Sequence, residues 1–206
     1  MFTQKKVFDI LDVGDYMKED NFKTEINYIK KEKYRENAIK LINMLPDYFF
    51  EVAASSTGKY HPSFALGEGG LLRHTKVAVK IAKELLEDES IGYMFKDDEK
   101  DLIIISIMMH DGLKHGITKE KYTRFDHPIL MANYIKENKD KLTLTDGEID
   151  FISNTISSHM GPWTTNPYSD ITLPKPKNKY QRFVHMCDFL ASRKFLDVKF
   201  KDDEII

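Results

Sequence analysis

Six ionisable side chains recur among apolar residues along the chain, and their types are those that bind divalent metal ions. They are His74, His110, Asp111, His127, His159 and Asp188. Buried ionisable groups are costly unless they are paired, and one cation compensates several imidazoles and carboxylates at once. A single histidine of this kind is usually a hydrogen-bonded core residue. Because six such residues recur, the pattern favours a metal site over six unrelated core positions.

The adjacent pair His110 and Asp111 is the most specific element of this pattern. Neighbouring side chains on a helix diverge by about 100° and can meet at one ion only at a helix end. The pair follows the apolar run LIIISIMM and precedes Gly112, which can stop a helix. With His74 from an earlier helix and Asp188 from a later one, the pair would complete a four-ligand site. Asp111 can then bridge to a second ion, for which His127 and His159 are candidate ligands.

The segments that carry these residues favour helices. Between Gly70 and about Leu86 the apolar residues follow a helical period, which places His74 on the inward face. Asp126 is a candidate N-cap for the helix that holds His127 and Pro128, because proline is tolerated in a first turn. The buried helix that ends at His110 should begin with acidic residues, which suit a helix start.

The C-terminal half follows the same pattern. Thr145 and Glu148 form a capping-box motif that should open a helix whose apolar stripe reaches His159. A last helix, from about Lys179 to Phe195, carries Asp188. No alternating run is convincing as a strand, and every long periodic segment is helical. The sequence therefore predicts an all-α fold.

Composition narrows the class of protein. The 206 residues fit one domain, with about 1–59 as an N-terminal extension and helices packing on a metal-binding core of about 60–194. No apolar run approaches the ~20 residues of a membrane span, and the charged N-terminus lacks a secretory pattern. We therefore expect a cytoplasmic protein with no membrane partner. The single cysteine, Cys187, excludes an intramolecular disulfide and a paired-Cys zinc cluster.

Three segments, LLRHT, MMHDGLK and HMCDFLASR, resemble the HD superfamily of metal-dependent phosphohydrolases. The resemblance covers about Tyr60 to Lys194. Two further segments, FDHPI and ISSHMGPW, resemble the subset of that superfamily that holds two metals. Lys114 stands where the family often has the lysine of its His-Asp-x-x-Lys pattern, although Gly112 and Leu113 transpose the usual order of the two residues before it.

This resemblance implies a single-domain HD-type helical bundle with two divalent ions, of Fe, Mn, Ni, Zn or Mg. It implies a phosphodiesterase or nucleotidase that cleaves a phosphoester of a nucleotide or a short oligonucleotide by metal-activated water. Asp111 and Lys114 would be the catalytic residues. The substrate-binding candidates are Arg73, Lys114, Trp163 and Arg193, and the alternatives are a surface lysine for Lys114, an outward-facing Arg73 and a loop anchor for Trp163.

Two other functions are compatible with the same residues. A minority of HD proteins hold two irons and oxidise small molecules, and the ligand set is shared by both activities. The fold also serves as a non-catalytic nucleotide-binding module. Lys114 and Trp163 favour hydrolysis. Of the remaining histidines, His61 is a candidate substrate contact, His115 is expected in solvent, and His185 is a candidate to orient Asp188, three residues later.

Overall fold

The computed structural model describes residues 17–55, 57–196, 200–201 and 204–205, over which the chain is an all-α bundle. The α-helices are α1 (Lys23–Ile26), α2 (Glu32–Asn43), α3 (Gly70–Glu87), α4 (Glu89–Gly92), α5 (Asp97–Met109), α6 (His127–Glu137), α7 (Asp146–Ser157) and α8 (Lys179–Ala191). Single 3-10 turns lie at Lys18–Phe22, Asp47–Phe50, Ser63–Ala65, Lys139–Lys141 and Lys194–Leu196. Within the described part of the chain, no helix is both long and apolar enough to span a bilayer.

A small antiparallel hairpin departs from the all-helical prediction. Strands β1 (Phe200–Lys201) and β2 (Glu204–Ile205) pair with Phe200 opposite Ile205. Two residues per strand are too few for an alternating pattern to show in the sequence. Residues 1–16, for which we predicted the absence of a secretory segment, lie outside the described residues.

Helix α5 is the centre of the bundle. Its isoleucine and methionine side chains from Ile103 to Met109 are almost completely buried, as the uniformly apolar sequence predicts. The helix packs against α2, α3, α7 and α8. Near its start, the buried Asp101 accepts hydrogen bonds at 2.9 Å from the backbone N–H groups of Lys30 and Lys31. This carboxylate fixes the segment between α1 and α2 to the central helix.

Two helix pairs surround α5. Helix α3 packs against α8, and α6 packs against α7. The predicted capping box is present at the start of α7, where the side chains of Thr145 and Glu148 bond to each other's backbone N–H groups. Asp126 occupies the N-cap position of α6, but its carboxylate accepts hydrogen bonds from Arg124 instead of from the helix. The capping prediction was therefore right in position and wrong in its hydrogen bond.

Candidate metal centre

Five helices bring the six predicted ligands to one place in the bundle. His74 lies in the second turn of α3, His110 and Asp111 end α5, His127 begins α6, His159 follows α7, and Asp188 lies in α8. All of the imidazoles and Asp111 are at most 3% exposed. The sequence prediction that separate helices converge on a buried cluster of His and Asp is thus confirmed, and these groups can hold metal.

One group of ligand atoms surrounds the carboxylate of Asp188. Its Oδ1 lies 3.0 Å from Nε2 of His74 and 3.4 Å from Nε2 of His110. Nε2 of His110 is also 3.4 Å from Oδ2 of Asp111, while Nε2 of His74 is 3.8 Å from that oxygen. Two imidazoles and two carboxylates therefore face a common point.

A second group lies on the other side of Asp111. Oδ1 of Asp111 is 3.0 Å from Nε2 of His127 and 3.6 Å from Nε2 of His159, and these two nitrogens are 3.1 Å apart. Asp111 thus presents one oxygen to each group. This is the arrangement expected of a carboxylate that bridges two cations.

Backbone carbonyls set the orientation of three of the imidazoles. Nδ1 of His110 lies 2.6 Å from the carbonyl oxygen of Ile107, and Nδ1 of His127 lies 2.6 Å from that of Arg124. Nδ1 of His159 lies 2.9 Å from the carbonyl oxygen of Ile156. A carbonyl only accepts, so Nδ1 carries the proton and Nε2 of the neutral ring presents a lone pair. Carbonyl partners of this kind are typical of metal-binding histidines.

In the neutral rings, lone pairs therefore point at one another. Nε2 of His110 and Oδ1 of Asp111 are buried and have no hydrogen-bond partner. Two ligand atoms about 2.1 Å from one ion, with an angle of about 90–110° between them, lie about 3.0–3.4 Å apart. Most of the distances in both groups fall in this range. The donor set and its spacing therefore fit divalent metal ions, and the mixed N and O ligands suit Fe, Mn, Ni or Zn more than Mg, which prefers oxygen.

The electrostatics of the cluster also favour bound cations. Burial opposes a charge on His110, but Asp111 and Asp188 outweigh burial and raise its pKa to about 10, so that without a metal ion its Nε2 binds a proton in the place that a cation would take. Burial lowers the pKa of His159 to about 4, and the neighbouring His110 and His127 add to this effect. Burial alone would raise the pKa of Asp111, but Lys114 and His110 bring it well below its usual range. Both carboxylates are therefore charged at neutral pH, which attracts positive charge to the cluster.

A cavity of about 350 Å³ opens onto the cluster. Asp111, His127, His159 and Asp188 lie along its wall. The Lys114 ammonium also reaches it and pairs with Oδ2 of Asp111. Because the Lys114 side chain is 12% exposed, it is not the surface lysine of the alternative interpretation.

Aromatic residues and an arginine form another part of the cavity wall. Trp163 is 47% exposed, and its ring stacks on Phe189 with 5.9 Å between centroids and 13° between planes. The Arg193 guanidinium lies 4.2 Å from the centroid of the Phe189 ring. Trp163 and Arg193 therefore line the cavity that opens onto the cluster, and the stacking on Phe189 also fits the alternative of Trp163 as a loop anchor.

The predictions for Arg73, His185 and His115 are wrong. Arg73 does not line the cavity, because its guanidinium donates to the carbonyls of Phe64, Leu66 and Glu68 and anchors the loop before α3. His185 does not orient Asp188: its Nδ1 lies 2.7 Å from the carbonyl of His159.

His115 is 8% exposed and not in solvent. Its ring packs against Tyr48, and its Nδ1 lies 3.0 Å from the carbonyl of Glu120. Hydrogen bonds to carbonyls of irregular loops, as at Arg73 and His115, leave no periodic signal in the sequence. The same holds for a carbonyl far along the chain, as at His185.

The cavity also contains residues that the sequence did not single out as site residues. Tyr60, Thr123 and Phe189 line it. His61, the candidate substrate contact of the sequence analysis, also lines it, and its buried Nδ1 has no hydrogen-bond partner among the described residues. The ring of His61 packs edge-on against the ring of His74, with 5.5 Å between centroids. Phe189 was identifiable as the neighbour of Asp188, but Tyr60 and Thr123 come from irregular segments whose path the sequence does not specify.

In comparisons with family models, curated proteins and solved structures, the chain finds no match. The arrangement itself narrows the chemistry. Six nitrogen and oxygen ligands, a buried lysine beside them and an open cavity with an aromatic wall can bind an anionic, partly planar molecule at bound cations.

Proposed function

We propose that the chain is an HD-type metal-dependent phosphohydrolase that cleaves a phosphoester of a nucleotide or short oligonucleotide. His74, His110, Asp111 and Asp188 would hold one divalent ion, and Asp111, His127 and His159 a second. Bound divalent ions supply Lewis acidity toward a phosphoryl oxygen and lower the pKa of a water at the site. The chain's own residues hold the ions, orient the substrate and balance charge.

The observation that carries the proposal is the pair of oxygens of Asp111. Each faces its own set of imidazole nitrogens, at 3.0 Å from His127 and 3.4 Å from His110. A core that only needed buried hydrogen bonds would pair each acceptor with a donor. A carboxylate that faces two sets of imidazoles is instead the arrangement that a binuclear hydrolytic site requires.

Lys114 supports hydrolysis of an anion in particular. Its ammonium lies against Asp111, lines the cavity and is largely buried. Phosphoryl transfer gathers negative charge on the non-bridging oxygens, and a fixed cation beside them stabilises the transition state. A redox reaction of an uncharged small molecule has no comparable need for that lysine, so this residue favours the hydrolase over the oxygenase.

Trp163 and Arg193 support a nucleotide as the substrate. The exposed indole of Trp163 and the half-buried guanidinium of Arg193 line the same cavity as the candidate ligands. A base stacks well on an indole or a guanidinium plane, and stacking of this kind contributes about 1–3 kcal/mol per base. An aromatic wall beside a cationic site fits a phosphoester that carries a ring.

The direct test is a screen of metal-loaded protein against phosphomonoesters, cyclic nucleotides, dinucleotides and bis(p-nitrophenyl) phosphate. We expect hydrolysis with Mn, Fe or Ni that is lost after chelation and in His110→Ala and Asp111→Ala. Normal turnover by a metal-free Asp111→Ala protein would disprove the proposal. Iron-dependent oxygen consumption without phosphoester hydrolysis would support the oxygenase instead, and nucleotide binding without any turnover would support a non-catalytic module.

A further inference from the structure

The Arg193 side chain is a cation without an anionic partner in the described part of the chain. Among the residues that the structure describes, none accepts a hydrogen bond from its guanidinium, and its buried Nε has no partner. Arg73, by contrast, donates to three carbonyls, and Arg124 pairs with Asp126 and Glu120. Arg182 has no side-chain partner among the described residues either, but it is exposed to water, whereas Arg193 is partly buried. A half-buried cation that is left unpaired is costly unless a ligand supplies the charge.

Aromatic rings hold this guanidinium in place. Its carbon lies 4.2 Å from the centroid of Phe189, 5.2 Å from that of Trp163 and 5.7 Å from that of Tyr60. Ring faces stabilise the charge, but they accept none of the N–H bonds in the guanidinium plane. The three residues line the cavity with Arg193, so the side chain is fixed before a ligand arrives.

The position of Arg193 separates it from the metal ligands. It lies five residues after Asp188, beyond the end of α8 at Ala191, and lines the same cavity as Asp111 and Asp188. The charge near the ligands is supplied by Lys114, which already pairs with Asp111. Arg193 therefore has no role in balancing the carboxylates of the cluster.

We propose that Arg193 binds a second phosphate of the substrate, next to the phosphoester held at the metal centre. This inference rests on the proposed phosphohydrolase function and narrows its substrate class. A nucleoside bisphosphate or a 5′-phosphorylated dinucleotide satisfies both positions, while a nucleoside monophosphate satisfies only one. A guanidinium pairs with phosphate through two parallel hydrogen bonds, which fixes the orientation of the ligand as well as its charge.

The test measures binding separately from turnover. Trp163 is the only tryptophan of the chain and lies 5.2 Å from the guanidinium, so its fluorescence reports on ligands at this position. Manganese-loaded protein is titrated with adenosine, adenosine 5′-monophosphate and adenosine 3′,5′-bisphosphate in a stopped-flow instrument, before turnover. We expect the bisphosphate to bind about tenfold to a hundredfold more tightly than the monophosphate.

Substitutions test whether Arg193 causes this preference for the bisphosphate. Arg193→Gln should bind both nucleotides with equal affinity, whereas Arg182→Gln, on the exposed face of α8, should keep the wild-type ratio. If Arg193→Gln fails to fold, Arg193→Lys decides, because it keeps a charge without the planar pair of donors. A ratio lowered at least threefold in that variant supports the proposal, and an unchanged ratio overturns it.

The outcomes distinguish this inference from the proposed function. A protein that hydrolyses phosphoesters but binds both nucleotides equally would overturn the role of Arg193 and leave the hydrolase intact. A protein that prefers the bisphosphate through Arg193 but hydrolyses nothing would support the second-phosphate site and overturn the hydrolase.

Discussion

Oδ1 of Asp111 and Nε2 of His127 lie 3.0 Å apart, although neither atom has a proton to share in the neutral imidazole. Nδ1 of His127 carries the ring proton because it faces the carbonyl of Arg124 at 2.6 Å. Two buried acceptors this close repel each other unless a cation lies beside both. The cluster therefore requires a positive charge between these atoms.

Metal should stabilise the fold measurably. An ion at about 100 times its dissociation constant adds about 2.7 kcal/mol to the free energy of unfolding, which corresponds to about 5–10 °C in Tm for a chain of this length. We expect this rise on adding Mn²⁺ to chelator-treated protein. His110→Ala should lose it, whereas His115→Gln, outside the cluster, should keep it from a lower starting Tm. A rise in His110→Ala equal to that of the wild type would contradict the assigned ligands.

Lys114→Gln should separate metal binding from catalysis. The substitution removes the ammonium beside Asp111 but none of the imidazole ligands, so metal content should be unchanged. We expect kcat to fall about 100-fold, in the range typical for loss of one group that stabilises transition-state charge. Lys119→Gln is the control, since Lys119 is half exposed and pairs only distantly, at 3.7 Å, with Glu51. Full activity of Lys114→Gln would exclude the assigned role.

Gly161 leaves room for the His185 ring to reach the backbone carbonyl of His159, a candidate ligand. Gly161 has a φ of 64°, and a Cβ at this position would lie 2.2 Å from the His185 ring. That ring bonds to the carbonyl of His159, so Gly161→Ala should displace this ligand as well as destabilise the fold by about 2 kcal/mol. Denaturant unfolding and metal content measure both effects. Gly147→Ala, which has open space around its Cβ position, should show neither.

Much of this cluster could be predicted because its candidate ligands lie on regular helices or directly at their ends. The apolar period of α3 places His74 inward, and the apolar second half of α5 can lead into His110 and Asp111 only as a buried terminus. Helical periodicity reports which face of an element is buried. Both features depend on residues within one helix, and the structure agrees with both.

The remaining contacts depend on irregular chain, where no period exists. Arg73 was assigned to substrate because its neighbour is a ligand, but the loop before α3 turns back and offers it three carbonyls. Tyr60 reaches Arg193 across more than a hundred residues of sequence. Such contacts follow from the path of the loops in space, which local sequence preferences do not determine.

The charge on Glu148 makes the free energy of unfolding of the bundle fall at acid pH. Burial raises its pKa, but Lys33, the backbone N–H of Thr145 and Tyr34 outweigh burial and lower it to about 2. Because the folded-state pKa lies below the unfolded value of about 4.3, the stabilisation is complete above that value and is lost as pH falls towards 2.

Glu148→Gln should therefore cost about 2 kcal/mol at pH 7 and almost nothing near pH 2. Urea unfolding across this range measures the difference. Glu87→Gln serves as the control, since Glu87 is 59% exposed and its ion pair with Lys83 contributes little. An equal loss at both pH values would show that packing of the side chain, and not its charge, stabilises the contact between α2 and α7.

The most direct measurement is the number of metal ions per chain, determined by elemental analysis after Mn²⁺ loading and removal of free metal. We predict two ions in the wild-type protein, one in His127→Ala, where the group around Asp188 remains intact, and none in Asp111→Ala. A wild-type protein that retains no metal, or an Asp111→Ala protein that retains two ions, would contradict the binuclear centre.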